Sequence, residues 1–359
     1  MAYTNIDDPS AYFQTATYTG AGANQTVTND GNSDLQPDFL WIKRRNAGYG
    51  HVLVDSNRGL GSSNPPYLAS EATDAENSNQ NWISGVGTDG FTIGINEQNL
   101  SNTSGTYVAW QWKAAGGTTA SNSDGDITST TQVNTTAGFS IITYTGSGTT
   151  NDTIGHGLGV EPDIAIFKRR DVATGNWDVQ HNAGNPGAVT NAYRHTLNLT
   201  EGTATNVLSS FSSTTLGLST GGDAQKNVSG SKYVCYAFKA IPGYSAFGSY
   251  YGNGTTNGEF VYLGFKPAFV MVKVLSDPNY GWVIADNKRG PFNENDPSVY
   301  ANTTAAETTN DFNGDFLSNG FKLHGSTYPA NSGGTNTFAY FAFAENPFVT
   351  STGIPTTAR

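Results

Sequence analysis

Short, dense apolar runs alternate with polar tracts along the whole chain, and the same order of runs occurs three times. Each copy opens on a Tyr-x-Gly turn, crosses a polar tract to a Pro, and continues as an apolar strand. The openings are Tyr18-Thr19-Gly20, Tyr144-Thr145-Gly146 and Tyr250-Tyr251-Gly252. The strands follow Pro37, Pro162 and Pro267, at Tyr-to-Pro intervals of 37−18 = 19, 162−144 = 18 and 267−250 = 17. A second apolar run follows at His51–Asp55, Trp177–Gln180 and Trp282–Asp286. A third lies at Gly90–Gly94, Leu216–Leu218 and Gly320–Leu323. An aromatic strand closes each copy: Tyr107–Trp112, Tyr233–Phe238 and Phe338–Phe343. From Pro to the last aromatic the separations are 112−37 = 75, 238−162 = 76 and 343−267 = 76. Insertions are absorbed in loops while strand spacing is held.

Runs of four to eight residues bounded by Gly, Asn and Ser predict strands. The closing strands are apolar on both faces, so both faces must be covered. The expected fold is all-β, with three tandem β-sandwich (jelly-roll-like) repeat domains of roughly 8–12 strands each. Their spans are 1–115 (N-terminal arm plus repeat 1), 116–240 (linker plus repeat 2) and 241–359 (repeat 3 plus a short C-terminal tail). The Gly/Thr/Ser/Asn-rich stretch 116–123 predicts a flexible linker, and Ile241-Pro242-Gly243 a short, stiff joint. Asp126–Asn134, rich in β-branched residues, predicts an extra edge strand in repeat 2. Only Ala69–Glu76 could form two helical turns. Tyr12 and Phe13, ahead of repeat 1, suggest an assembly arm docking on a neighbour, or equally a capping strand. The tail from Val349 is expected to be loosely held.

Charge and cysteine content narrow the function classes. Charged residues make up 13% of the 359, and the formal net charge is −11. A phosphate-backbone partner wants a basic surface, so nucleic acid is not expected. The basic clusters, Lys43-Arg44-Arg45 and Lys168-Arg169-Arg170, end apolar strands. They read either as solvated strand ends or as anion or glycan contacts. Cys235 is the one cysteine, so no intrachain disulfide can form, and its apolar strand predicts burial. The start Met1–Pro9 carries neither a basic patch nor an apolar run, so no signal peptide is expected. No stretch approaches the ~18 apolar residues of a membrane span.

Candidate chemistry is sparse. The phosphate-loop pattern is absent. The histidines, at 51, 156, 181, 195 and 324, share no metal-binding spacing, so neither a metal nor a cofactor is expected. Glycoside hydrolysis needs two carboxylates across a cleft. Glu71, Asp74 and Glu76 form one acidic group, and Glu307, Asp311 and Asp315 the other, but both lie in Gly/Asn-rich excursions where carboxylates solvate loops. Asp55-Ser56-Asn57-Arg58-Gly59 is echoed by Asp286-Asn287-Lys288-Arg289-Gly290, whereas Gln180-His181-Asn182-Ala183-Gly184 lacks both Asp and Arg. Asp and Arg three apart around a turn make a local ion pair closing a strand. The alternative is that Arg58 and Arg289 bind a carboxylate or glycan. Loop aromatics unmatched between repeats, Tyr49, Tyr67, Trp82, Tyr193, Tyr280 and Tyr328, are candidate sugar platforms.

The repeat text itself carries a resemblance. Ala137–Gly146 with Gly155–Asp163, Gly264–Lys273, Phe316–Lys322 and Tyr340–Phe348 resemble a repeat family of virion structural proteins from tailed, often marine, bacteriophages. The resemblance covers nearly the whole chain and implies a tail or fibre protein. It implies no catalytic residue. The expected function is therefore a non-catalytic, tail-associated attachment protein of the phage particle, made in the host cytoplasm. It would touch other virion proteins, copies of itself (a trimer first) and a host surface glycan or protein. A capsid decoration or head-fibre protein and a glycan-degrading tailspike are the alternatives.

Overall fold

The computed structural model describes residues 3–62, 64–77, 82–181, 193–202, 210–218, 226–326, 329–333 and 336–356. The first lobe supplies β1 (Phe13–Thr19), β2 (Gln25–Val27), β3 (Phe39–Arg44), β4 (His51–Asp55), β5 (Ile83–Val86), β6 (Phe91–Ile93) and β7 (Thr106–Trp112). The second supplies β8 (Ala120–Asn122), β9 (Ser129–Asn134), β10 (Phe139–Thr145), β11 (Thr153–Gly155), β12 (Ile164–Arg169), β13 (Trp177–His181), β14 (Tyr193–Thr196), β15 (Thr215–Gly217) and β16 (Lys232–Phe238). The third supplies β17 (Ser245–Tyr251), β18 (Phe260–Tyr262), β19 (Phe265–Val274), β20 (Trp282–Asp286), β21 (Val299–Tyr300), β22 (Gly314–Leu317), β23 (Gly320–Leu323) and β24 (Thr337–Pro347). All ladders between these strands are antiparallel, so the chain is all-β. Among the described residues there is no α-helix, and Ala69–Glu76 is irregular.

Each lobe has a large sheet and a small one. The large sheets run β1-β7-β3-β4, then β10-β16-β12-β13-β14 with β9 and β8 added beside β10, then β17-β24-β19-β20-β21. The small sheets are β2-β6-β5, β11-β15 and β18-β23-β22. The registers match as well. Phe39 lies opposite Trp112 and Asp55, Ile164 opposite Phe238 and His181, and Phe269 opposite Phe343 and Asp286. Pro37, Pro162 and Pro267 each precede these residues by two. The third differs locally: β19 begins before Pro267, which sits at a bulge where a missing N–H is tolerated.

The large sheets are apolar on both faces, and each face is covered differently. The outer face packs on the lobe's own small sheet. Leu40, Ile42 and Ala109 meet Phe91 and Ile93 in lobe 1; Ala165, Phe167 and Cys235 meet Ile154 and Leu216 in lobe 2; Val270, Val272 and Ala342 meet Val261 and Phe321 in lobe 3. The inner faces of all three meet in one central core that contains Phe13, Trp110, Phe139, Tyr236, Phe269 and Phe343. A cavity of about 30 Å³ lies among these inner faces. Its walls are apolar and come from all three lobes, so it is expected to stay dry.

Three sequence expectations change here. The lobes do not each close a separate core, because the central core is common property. The stretch 116–123 is no free tether: β8 pairs with β9, and Asp38 accepts the N–H groups of Ala114, Gly116 and Gly117 at 2.7–2.9 Å. The tail is tied down, with Asp7 accepting both the N–H and the hydroxyl of Ser351 at 2.6 Å.

Phe343 is the most telling position in the central core. Its ring contacts Phe13 and Trp112 of lobe 1, Phe238 of lobe 2, and Tyr244, Phe247 and Phe269 of lobe 3, at centroid distances of 5.2–6.1 Å. Phe343→Ala should therefore cost ~3–5 kcal/mol and lower the stability of the whole chain in one transition. Tryptophan fluorescence and far-UV circular dichroism should trace coincident denaturant curves. Loss of lobe 3 alone, with the rest still folded, would contradict a shared core.

Candidate functional site

Many of the buried polar side chains gather at the three seams between lobes, and the seams repeat cyclically; Asp178 with Arg194 and Lys226 forms a separate buried cluster within lobe 2. Lysine is the first component. Lys43, Lys168 and Lys273 stand at the same register in β3, β12 and β19, and each is buried. Lys43 Nζ donates to the carbonyl of Arg44 at 2.7 Å and, across the seam, to Thr304 at 3.2 Å. Lys168 Nζ donates to Arg169, Gly175 and, across the seam, Thr73 at 2.8–2.9 Å. Lys273 Nζ donates to Tyr280 at 2.6 Å and, across the seam, to Thr200 at 2.9 Å. Thus lobe 1 reaches lobe 3, lobe 2 reaches lobe 1, and lobe 3 reaches lobe 2. Burial pulls each ammonium down to about 8.

A ring nitrogen lies directly opposite each lysine on the next strand. Trp177 Nε1 donates to the Ala69 carbonyl at 2.8 Å, and Trp282 Nε1 to Thr196 at 3.0 Å. In lobe 1 the ring is His51, whose Nε2 faces the Tyr300 carbonyl at 3.0 Å. Trp41 Nε1 donates to His51 Nδ1 at 2.8 Å, which assigns the proton to Nε2. Burial, reinforced by Lys43, drives the imidazole down to about 3, so it is neutral.

The Asp-x-x-Arg turns supply the third component. Asp55 and Arg58 pair at 2.6 Å, as do Asp286 and Arg289, with all four side chains sealed from solvent. Each carboxylate also bonds the next lobe. Tyr236 donates its hydroxyl to Asp55 at 2.7 Å, and Trp110 donates Nε1 to Asp286 at 3.1 Å. Tyr236, Trp110 and Phe341 occupy one register position. At the third seam Phe341 has no donor to offer, and the residue facing it is His181, at 5.9 Å between rings. Asp and Arg are thus present where the facing ring carries a donor and absent where it does not.

Glutamates complete two of the seams. Glu76 takes Arg170 Nη1 at 2.9 Å and lies 3.6 Å from Arg58. Glu307 takes Arg45 at 2.8 and 2.9 Å and Arg289 at 3.2 Å. Burial by itself would raise the Glu307 carboxyl, but the two guanidiniums hold it below its ordinary range.

These placements correct several sequence expectations. Arg58 and Arg289 are buried and cannot be surface ligands for a glycan. Lys43 and Lys168 are seam clasps, not solvated strand ends. Tyr12 and Phe13 form no free arm: Tyr12 packs edge-on against Tyr244 at 6.0 Å, and Phe13 stacks on Phe343 at 5.2 Å. Of the loop aromatics, Tyr49, Tyr67, Trp82 and Tyr280 are half-buried. Tyr49 lies under the Arg44 guanidinium at 4.7 Å, Tyr67 stacks on Trp82 at 4.2 Å, and Tyr280 packs on the outer core of lobe 3. Tyr328 lies outside the described residues. Glu71 accepts the His51 N–H at 3.1 Å, and burial raises its carboxyl. Asp315 pairs with His324 at 2.8 Å. Among the described residues no group of three His, Cys, Asp or Glu could hold a metal.

One family signature runs through all three lobes as a single match, over residues 8–347. The chain belongs to the family described as Domain of unknown function (DUF7483). No curated protein and no solved structure matches it. The single span agrees with lobes joined by buried seams.

Two perturbations test the seams. Asp55→Ala would leave Arg58 buried without its partner and should cost ~3–5 kcal/mol in denaturant unfolding; a cost below ~1 kcal/mol would mean the pair is solvated. For the lysines the sign is the reverse of an exposed salt bridge. Their folded value lies below the free value of 10.5, so between about pH 8 and 10.5 the unfolded chain holds more protons. The stability of the unaltered chain relative to Lys43→Met should therefore grow by up to ~3 kcal/mol across that range. A difference that shrinks as the pH rises would contradict a desolvated Lys43.

Proposed function

We propose that the chain is a non-catalytic structural component of a phage virion, tail-associated, whose third lobe makes the contact with the host surface. The observation that carries this reading is the distribution of exposed rings. Apart from Tyr3 near the start of the chain, the well-exposed rings among the described residues are Tyr251, Phe260, Tyr262 and Phe292, at 47, 43, 61 and 80%, and these belong to lobe 3. Phe260 and Tyr262 flank the buried Val261 on edge strand β18. At the matching places lobe 1 has Thr26 and Thr28, and lobe 2 has Thr153 and Gly155. Amphipathic rings with little rotamer freedom are good contact groups for protein or sugar faces. Comparing the repeats would have shown Phe260-Val261-Tyr262 to be the odd triplet, a better signal than loop position.

The glutamates of both acidic groups are occupied as well. Glu71, Glu76 and Glu307 are committed to the main chain or to guanidiniums at the seams, which supports the non-catalytic reading over a depolymerising tailspike. A homo-oligomer, if formed, would draw its apolar area from the exposed rings of lobe 3, since the central aromatics are shared among lobes.

The test is genetic. Phage carrying Phe260→Ser with Tyr262→Ser should assemble normally, contain the protein and adsorb at least tenfold more slowly. Adsorption at the parental rate, or particles free of this chain, would overturn the proposal. Purified protein should release no reducing ends from host polysaccharide; release abolished by Glu307→Gln would establish the tailspike instead.

A further inference from the structure

We infer that the outer edge of β1 is a docking slot for an extended, uncharged peptide strand from another chain. The inference stands on the internal comparison of lobes and is independent of the virion reading. β1 and β10 are equivalent strands, with Phe13 corresponding to Phe139 and Thr15 to Ile141. In lobe 2 the outer edge of β10 is filled by β9, in a register that pairs Phe139 with Asn134, Ile141 with Gln132 and Thr143 with Thr130. In lobe 1 no described strand lies beyond β1.

The direction of the main chain shows which groups face the slot. Lys113 N–H donates to the Tyr12 carbonyl, and Gly20 N–H to Gly105, at 3.0 and 2.8 Å. Alternation in an antiparallel ladder then turns the N–H and C=O groups of Phe13, Thr15 and Thr17 outward. The same two bonds flank β10, from Lys239 to Gly138 and from Gly146 to Ser231, and there the outward groups meet β9.

The space and its lining agree. A cavity of about 240 Å³ borders Phe13, Gln14 and Thr15 on one side and Asn287, Lys288 and Glu345 on the other. A second, of about 760 Å³, shares Asn287, Lys288, Glu345 and Asn346 with it and continues the groove. Two polar atoms in these walls are buried without a hydrogen-bond partner, Thr15 Oγ1 and Asn287 Oδ1, and Thr15 is 3% exposed. Buried groups of this kind need a partner, which an occupant of the groove could supply. Thr15 is, moreover, a hydroxyl where the other lobes carry Ile141 and Phe247.

The chemistry of the occupant follows from the filled slot and from charge. In lobe 2, Asn57 of lobe 1 seals the join by donating Nδ2 to the carbonyls of Thr130 and Ile141, both at 2.9 Å. Its counterpart at the open slot is Lys288, held by Asp30 at 2.7 Å, while Lys266 is held by Glu345 at 2.9 Å. With the wall charges already paired, the groove selects against a charged strand. β9 itself, Ser-Thr-Thr-Gln-Val-Asn, is the sequence type that fits, and strand addition supplies affinity through main-chain bonds.

The probe is a labelled, end-capped peptide of residues 127–136, which carries no charged side chain, titrated into the full chain. Saturable binding is expected, together with at least tenfold slower hydrogen exchange at the Phe13, Thr15 and Thr17 amides and no such effect from a scrambled peptide. Thr15→Pro, which removes an outward N–H together with the unpartnered hydroxyl, should abolish binding. The exchange readout on the unaltered chain decides the matter even if that variant fails to fold. No binding at millimolar peptide, or binding without protection at these three amides, would overturn the inference. So would protection of the edge by self-association of the chain in the absence of peptide.

Discussion

Everything in this fold depends on large sheets that are apolar on both faces. A two-sided sheet cannot stand in water with one face bare, because several large side chains per strand would remain hydrated at ~1.5–3 kcal/mol each. A sandwich partner covers one face only. Here that partner is a sheet of two or three short strands, enough for Ile154 and Leu216, or Val261 and Phe321, to close the outer side. The inner face has to find other large sheets. Three of them meeting around Phe343 satisfy one another, so a single chain reaches by internal repetition the arrangement that separate subunits reach by symmetry.

Such a core creates a difficulty at its margins. Where lobes meet, loop carbonyls such as those of Thr73, Thr200 and Thr304 are drawn out of water and need donors. Neighbouring side chains supply them: a lysine from one strand and, at nearby carbonyls, a ring nitrogen from the strand beside it, in every seam. The Asp-Arg turns are the more selective device. A carboxylate buried this deeply requires a cation and a further donor. It persists at the two seams where Tyr236 or Trp110 provides that donor and is replaced by His181 where Phe341 does not.

The succession of strands along the chain and their two-sided character were legible because both are local. Pro-to-aromatic spacing fixed the lobes, and Phe39, Ile164 and Phe269 fall where that spacing puts them. The seams were not legible, since their partners are far apart in sequence. Nothing near Arg58 announces Tyr236, and nothing near Arg45 announces Glu307. For the same reason Phe13 resembled a free arm: an aromatic ahead of the first repeat carries no mark of the stacking on Phe343 that buries it. The Asp-Arg turn could be read as a local pair, but its burial is imposed by another lobe.

The three-fold pattern is most informative where it fails. Lobe 2 alone carries the added strands β8 and β9, so its edge is closed. Among the described residues, lobe 3 alone carries exposed rings on the outer face of its small sheet. Lobe 1 alone, among the described residues, combines an open main-chain edge with a groove that holds an unpartnered threonine hydroxyl. Packing gives no reason for these differences, because the central core and the lysine clasps are the same in all three. Repetition accounts for what holds the molecule together, so the departures from it are where contact with other molecules has to be sought. They lie on two adjoining lobes, since the 240 Å³ cavity at the β1 edge is walled by residues of lobe 3 as well as lobe 1.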